Sequence, residues 1–280
     1  MIETKNLTKK FDSFTAVDSL DLRIETGEFF GLLGPNGAGK TTTISLLSTL
    51  LLPTEGEILI DGQTLGRNRP DLKRKISVIT QEYSMRQDMN MDEIMEYQGR
   101  LYFMPRKEIK RKTEELLDFC GLLPFRKRTV RKLSGGMKRK LMVCRALLTS
   151  PEILLLDEPT AGMDALSRRQ MWNLLRQLNG KNLTILLTTH YMEEAQSLCN
   201  RVALMDHGKL EEINTPSGLI DGLGKYTVDQ ETAEGAKSHY FHSREEAISF
   251  LSSLDGQCTL RETTLEDVFV ERAGRHLMQR

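Results

Sequence analysis

The segment GPNGAGKT, Gly34–Thr41, constrains the fold of this chain more than any other. It has the pattern G-x-x-x-x-G-K-[S/T] and stands between a short apolar run, Phe29–Leu33, and a helix-like stretch from Lys40 to Leu51. Glycines at these positions let main-chain N–H groups turn inward around phosphate groups, and the helix N-terminus adds positive dipole. The segment therefore predicts a phosphate-binding loop where a buried parallel strand passes into a helix.

This loop supplies most of the residues that we expect to hold a nucleoside triphosphate. Lys40 should reach the β- and γ-phosphates, and the Thr41 hydroxyl should bind Mg²⁺. The residues of the loop predicted to contact nucleotide are Gly34, Pro35, Asn36, Gly37, Ala38, Gly39, Lys40, Thr41 and Thr42.

Polar side chains end three further apolar segments, namely ILLLDE, TILLTTH and ISVITQ. In open α/β sheets ligands collect at the carboxyl ends of the strands. We expect Asp157 to hold Mg²⁺ through water and Glu158 to accept a proton from the attacking water. His190 is predicted to bridge Glu158, the water and the γ-phosphate, although a strand-end histidine more often satisfies a neighbouring main-chain group. Gln81, a weak signal by itself, is predicted to reach Mg²⁺ or the water through its amide oxygen.

The segment LSGGM, residues 133–137, opens a helix with two adjacent glycines. Glycine inside a helix costs about 1 kcal/mol relative to alanine. Ser134 is a good N-cap, and Gly135 and Gly136 leave the first N–H groups of the helix uncovered. We interpret this as a second anion site, suited to a γ-phosphate that the loop at 34–41 leaves exposed.

Strands and helices alternate along most of the chain, which predicts a parallel sheet covered on both faces. A mainly helical insertion at about 84–150 interrupts the pattern, and Asn90 and Glu93 form a candidate capping box at the start of its first helix. After the turn-rich NTPSG at 214–218 the composition changes. We predict an ATPase domain over 1–213 and a small α/β accessory domain over 214–280, with strands near 225–229 and 238–242.

Composition limits the possible partners. Lys and Arg number 39 and Asp and Glu also number 39, so the net charge is zero. Phosphate-backbone affinity needs a positive excess, and we expect no nucleic-acid partner. The N-terminus lacks the apolar region of a signal peptide, and no apolar run approaches the roughly 18 residues that span a bilayer. Any membrane role is expected to run through a partner.

The motifs occur in the order typical of the ATP-binding-cassette (ABC) ATPases, which the chain resembles over about residues 2–213. LSGG is highly specific to this family. The continuation MKRKL and the ending TTLEDVF, residues 263–269, resemble the ATPase subunits of ABC-2-type exporters. The resemblance implies a P-loop NTPase fold, ATP and Mg²⁺ as cofactors, and a homodimer or heterodimer that sandwiches two ATP molecules.

The resemblance also assigns residues that the sequence pattern alone does not. Ser134 and Gly136 of one subunit would contact the γ-phosphate held by the other, and Asp164 would cross between the two sites. Phe11 stands at the family's usual place for an aromatic ring that stacks on adenine, and Val17 at the place of an apolar contact to that ring. The family more often has leucine at Met163 and proline at Ala165, which affects the detail of the crossing loop.

The implied function is the ATP-hydrolysing motor of a membrane exporter, bound to an integral membrane permease at the cytoplasmic face of the cell membrane. The alternative is a cassette ATPase without a transporter, acting in translation or DNA maintenance. A single cassette and the absence of a sustained heptad repeat favour the transporter. Methionines of the insertion, among them Met85 and Met89, are interpreted either as a groove for a permease helix or as ordinary packing.

Overall fold

The computed structural model describes residues 1–82, 85–232, 235–254 and 256–278 of the chain. Residue 84, the first of the predicted insertion, and residues 279–280 at the end of the predicted accessory domain lie outside this description. The chain divides into two compact units. The first comprises Met1–His190 and Ala203–Glu212, and the second comprises Tyr191–Val202 and Ile213–Arg280.

The described residues form strands and helices in the following order. The strands are β1 (Ile2–Phe11), β2 (Phe14–Ile24), β3 (Phe29–Leu33), β4 (Glu55–Ile60), β5 (Gln63–Thr64), β6 (Ile76–Ile79), β7 (Ile153–Asp157), β8 (Thr184–Thr189), β9 (Arg201–Asp206), β10 (Lys209–Asn214), β11 (Tyr226–Thr232), β12 (Gly235–Phe241) and β13 (Cys258–Glu262). The helices are α1 (Lys40–Leu47), α2 (Pro70–Lys73), α3 (Met91–Leu101), α4 (Arg106–Phe119), α5 (Gly135–Leu147), α6 (Ala165–Asn179), α7 (Met192–Leu198), α8 (Pro216–Leu223), α9 (Arg244–Ser252) and α10 (Leu265–Met278).

A six-stranded sheet with the order β10-β9-β3-β8-β7-β6 carries the predicted site. Strand β3 pairs with β8, β8 with β7, and β7 with β6, all in parallel. Every residue of β3, β7 and β8 is buried, as expected for strands covered on both faces. The predicted parallel α/β fold is therefore confirmed, and the carboxyl ends of β3, β7 and β8 lie side by side.

A second sheet of four antiparallel strands has the order β2-β1-β4-β5. Strands β1 and β2 form a hairpin in which Phe11 pairs with Phe14 beside the turn. Helix α1 ends at Leu47 rather than at the predicted Leu51. Thr49 adopts a left-handed backbone with φ of 61°, which stops the helix before Pro53 is reached.

Helices α3, α4 and α5 make up the described part of the predicted helical insertion. The capping box at Asn90 and Glu93 is confirmed, since each side chain accepts a hydrogen bond from the main-chain N–H of the other residue. Met85, Met91 and Met95 are 7%, 0% and 0% exposed. These three methionines pack inside the protein, so the predicted methionine groove is wrong for them.

The second unit contains a three-stranded antiparallel sheet with the order β12-β11-β13. The two predicted strands are present, but β13 was not expected because CTLRE lacks a run of apolar residues. Ser243 and Glu246 form a capping box at α9. In this helix Ala247 is buried, whereas Ile248 is 44% exposed. Among the described helices of the whole chain, none is long and apolar enough to cross a membrane.

Candidate functional site

The loop between β3 and α1 needs its glycines for two different reasons. Gly37 and Gly39 have φ of 84° and 102°, in the region that favours glycine. A Cβ atom at Gly39 would lie 2.4 Å from the main-chain oxygen of Ala16, and one at Gly34 would lie 2.1 Å from that of Met205. The loop therefore packs main chain against main chain, and Gly39 begins α1 without a side-chain cap.

Lys40 lies at the start of α1 and is 6% exposed. Its Nζ donates hydrogen bonds to the main-chain oxygens of Gly34 at 2.8 Å and Pro35 at 2.9 Å. Burial lowers the pKa of Lys40, against the opposing effect of the Glu158 and Asp157 carboxylates. The loop thus folds around its own ammonium group, where a phosphate oxygen would compete with the two carbonyls for the same donors.

Asp157, the last residue of β7, is held by hydroxyl groups on both sides. Thr41 Oγ1 donates to Asp157 Oδ1 at 3.2 Å, and Thr188 Oγ1 on β8 donates to the same oxygen at 2.6 Å. Carboxylate and hydroxyl oxygens are the hard ligands that Mg²⁺ prefers. This donor set fits a magnesium ion bound through one carboxylate and one hydroxyl. Sequence reasoning did not identify Thr188, although it stands two residues before His190, which follows the end of β8.

Glu158 follows Asp157 in a left-handed turn with φ of 47°. Its N–H donates to the Thr188 carbonyl at 3.0 Å, which fixes this turn against β8. Its carboxylate Oε1 lies 3.0 Å from Nδ1 of His190. The Glu158 side chain is 13% exposed and that of His190 is 42% exposed. The two predicted catalytic side chains are thus in hydrogen-bond contact, with the histidine on the solvent side.

An open cavity of about 560 Å³ brings most of the predicted residues together. Its lining comprises Phe14, Ala16, Asn36, Gly37, Gly39, Lys40, Thr41, Thr42, Gln81, Glu158 and His190. Asp157 is 5% exposed and meets this cavity through Thr41. The lining therefore offers an ammonium group, two hydroxyls, a carboxylate, two amides and an imidazole around one space.

The apolar end of the cavity contains two residues that the sequence did not single out. Phe14 and Ala16 line it, whereas Phe11 and Val17 are not among the described lining residues. Val17 is fully buried because its side chain points into the core from β2, and Phe11 lies across the hairpin turn with Lys9 over its ring. Phe14 is 61% exposed and presents an aromatic ring at this end of the cavity.

Ser134 caps α5 as predicted, with its side chain accepting from the Met137 N–H at 3.3 Å. Ser134 and Gly135 are exposed, and neither they nor Gly136 are among the described residues that line the cavity. The structure does not bring the second anion site to the cavity of its own chain.

Asp164 lies close to this second anion site. Its side chain caps α6 by accepting from the Ser167 N–H at 2.9 Å and from the Ser167 hydroxyl at 2.6 Å, which lowers the pKa of Asp164. A Cβ at Gly136 would lie 3.2 Å from that same hydroxyl. The start of α5, with Ser134 and Gly135, and the start of α6, with Asp164, therefore lie next to one another at the surface.

Arg139 was not identified from the sequence, where it reads as one member of the basic run KRK. It lies on α5, is 2% exposed, and its guanidinium donates to the main-chain oxygens of Thr80 at 2.7 Å and Gln81 at 3.1 Å. A third and longer contact, at 3.5 Å, joins the guanidinium to the main-chain oxygen of Glu158. Arginine is normally exposed, so its burial here indicates a specific role, and that burial is visible only in the structure.

Comparison with known sequences places the chain among ATP-binding subunits of transporters. A sequence profile described as "ABC transporter" matches residues 17–161. The linearmycin resistance ATP-binding protein LnrL of Bacillus subtilis is 37% identical over 84% of the chain and 76% of its own length. The Nod factor export ATP-binding protein I of Cupriavidus metallidurans is 34% identical over 99% of the chain and 98% of its own length.

Comparison with solved structures leads to the same class of protein. A dimeric bacterial ABC transporter cassette, MJ0796, superposes with a TM-score of 0.69 at 28% identity and covers 77% of this chain and 98% of its own. A second structure of that cassette, dimeric and bound to ADP and Pi in a post-hydrolysis state, matches with the same TM-score, identity and coverage.

Proposed function

The chain belongs to the ABC transporter family, and we propose how its residues bind and hydrolyse ATP. It is an ATPase, the ATP-binding motor subunit of an exporter-type transporter. ATP would occupy the cavity of about 560 Å³, with its phosphates on the loop at 34–42 and its adenine beside Phe14. Lys40 would exchange its two carbonyl partners for phosphate oxygens. Phe11 and Val17 would then support the hairpin that carries Phe14.

The carboxyl ends of β6, β7 and β8 would supply the chemistry. Asp157, Thr41 and the Gln81 amide would hold Mg²⁺, which when bound neutralises charge on the β- and γ-phosphates. Glu158 would accept the proton of the attacking water, because its carboxylate lines the cavity and is 13% exposed. His190 would orient that carboxylate and contact the γ-phosphate, consistent with its Nδ1 lying 3.0 Å from Glu158 Oε1.

One observation supports a shared site more than any other: Ser134 and Gly135 are exposed and stand apart from the described cavity lining of their own chain. We propose that Ser134, Gly135 and Gly136 complete the pocket of a second subunit, with the N–H groups of α5 directed at its γ-phosphate. Asp164 would lie at the same interface. Neither subunit would then hydrolyse ATP efficiently alone.

We propose further that the dimer works with an integral membrane permease at the cytoplasmic face of the cell membrane. Similarity to resistance and export ATP-binding proteins supports outward transport. In functional terms residues 1–213 would be the ATPase and residues 214–280 an accessory domain. A role in translation or DNA maintenance is not favoured, because the named relatives are transporter subunits.

The test is Glu158→Gln, which removes the proton acceptor and keeps the shape of the side chain. We expect phosphate release to fall at least about a hundredfold. The variant should also run as a dimer on gel filtration with ATP and as a monomer without it. The reason is that the ATP-bound dimer no longer comes apart through hydrolysis of its ATP. The matched control is Glu152→Gln at the amino end of β7, where Glu152 contacts Lys75 on the surface.

Two results would contradict the proposal. One is Glu158→Gln protein that stays monomeric at saturating ATP. The other is equal loss of activity in the two glutamine variants, which would mean that the effect comes from the strand and not from the site.

A further inference from the structure

The buried Arg139 connects three segments that belong to different parts of the proposed site. It lies five residues after Ser134 on α5, about 7.5 Å along a helix axis. Its guanidinium donates to the carbonyls of residues 80 and 81, at the end of β6, and contacts the carbonyl of Glu158 after β7. The Arg139 side chain therefore connects α5 to the main chain of Gln81 and Glu158, two residues with predicted catalytic roles.

The planar guanidinium suits this task because it presents several N–H donors in a fixed fork. Nη1 of Arg139 donates to the main-chain oxygen of Thr80, and Nη2 is shared between the main-chain oxygens of Gln81 and Glu158. A shift of α5 would therefore move or break hydrogen bonds to residues 81 and 158 together. Burial to 2% exposure strengthens these bonds and makes their loss costly.

In the proposed dimer, the two ends of this connection act on different ATP molecules. Ser134 of a subunit contacts the ATP of its partner, whereas Gln81 and Glu158 of that subunit act on its own ATP. We infer that Arg139 is a positioning residue that couples the two ATP sites of the dimer, so that occupancy of one pocket aligns Gln81 and Glu158 in the other. This inference rests on the proposed shared site and adds to it a physical path between the two nucleotides.

The coupling should appear as cooperative ATP hydrolysis that depends on Arg139. Phosphate release is measured against ATP concentration for the parent chain, Arg139→Lys and Arg139→Met. Lysine keeps the charge but offers one nitrogen, which cannot hold three carbonyls in the same geometry. We expect a Hill coefficient above 1 in the parent and equal to 1 in both variants, with kcat about tenfold lower.

The control is Lys140→Met, the next residue of α5, whose Nζ lies 3.1 Å from Gln170 Oε1 on α6. It should keep the cooperativity of the parent. If the methionine variant fails to fold, Arg139→Lys decides the question. A parent Hill coefficient of 1, or unchanged cooperativity in Arg139→Lys, would overturn the inference.

A second measurement separates this inference from the proposed function. Arg139→Lys is combined with Glu158→Gln and examined by gel filtration with ATP. We expect the dimer to form, since the double variant keeps Ser134, Gly135 and Gly136 and the phosphate-binding loop at 34–42. Loss of the dimer in this double variant but not in Glu158→Gln alone would show that Arg139 maintains the interface itself, which would also overturn the coupling role. A monomer in both would reject the shared site.

Discussion

Buried polar side chains serve different ends in the two units. In the first unit, Thr188 and Arg139 are 0% and 2% exposed, and their hydrogen bonds go to Asp157 and to the main chain at Gln81 and Glu158. In the second unit, the hydroxyls of Thr227 and Thr263 bond to one another at 2.8 Å, inside the fold. The two buried side chains of the first unit therefore hold residues at the cavity, whereas this pair in the second unit joins β11 to the residue that follows β13.

Ion pairs repeat this contrast. Arg261 on β13 contacts both oxygens of Asp229 on β11 and both oxygens of Asp267 on α10. These charges hold a strand, its neighbour and a helix together, and no described cavity of the first unit includes them. In the first unit the Glu158–His190 pair faces the open cavity. Carboxylates thus face the open cavity in the first unit and connect secondary-structure elements in the second.

The largest expected effect that tests this contrast is that of Thr188→Val. Loss of the hydroxyl frees Asp157 to rotate, so kcat should fall about tenfold or more, measured by phosphate release. Thr184→Val is the matched control at the other end of β8, where the hydroxyl accepts from the Gly27 N–H at 2.9 Å. It should cost about 1 kcal/mol in unfolding free energy and leave kcat unchanged. Equal loss of kcat in both variants would break the comparison.

The next effect concerns the second unit. Arg261→Met leaves the buried Asp267 without its bidentate partner and should lower the free energy of unfolding by about 1–2 kcal/mol, after allowance for the partial exposure of Arg261. The ATPase rate per folded chain should not change. Urea unfolding of the full chain and phosphate release measure the two quantities. Arg244→Met, at an exposed position of α9, should cost less than about 0.5 kcal/mol.

The contrast also explains what could be predicted from the sequence. The phosphate loop, Asp157, Glu158 and His190 are local signals at strand ends, so the pattern of residues placed them near one another. Thr188 and Arg139 act through partners that lie 31 and 58 positions away in sequence, and the pairing of strands decides those contacts.

Hydrophobic pattern was less informative at the surface and in the second unit. Phe11 and Phe14 are partners in one hairpin, and only its turn decides which ring faces the cavity. Strand β13 was missed because its stability depends on pairing with β11 and on Arg261, not on apolar residues of its own. Ile248 fits a helical apolar face, yet the smaller Ala247 is the residue of α9 that the core encloses.

The smallest expected effect is a pH dependence of the second unit. Burial raises the pKa of Asp267, but hydrogen bonds from Arg261 and Thr264 outweigh it, and the net pKa lies below the ordinary 3.8. Asp229 is shifted in the same direction, with burial again opposed by Arg261. A carboxyl group whose pKa is lower in the folded state contributes stability above its unfolded pKa and loses it as pH falls through the folded pKa.

The contribution of these carboxylates should therefore be complete above about pH 4 and decline below it. The free-energy difference between the parent and Asp267→Asn, measured by urea unfolding, should shrink by about 1 kcal/mol as the pH falls from 6 to 3. Asp221→Asn, a surface position of the same unit, should show no such change. A constant difference for Asp267→Asn would mean that its side chain stabilises the unit by capping α10 through Thr264, where a neutral amide can also accept, and not by its charge against Arg261.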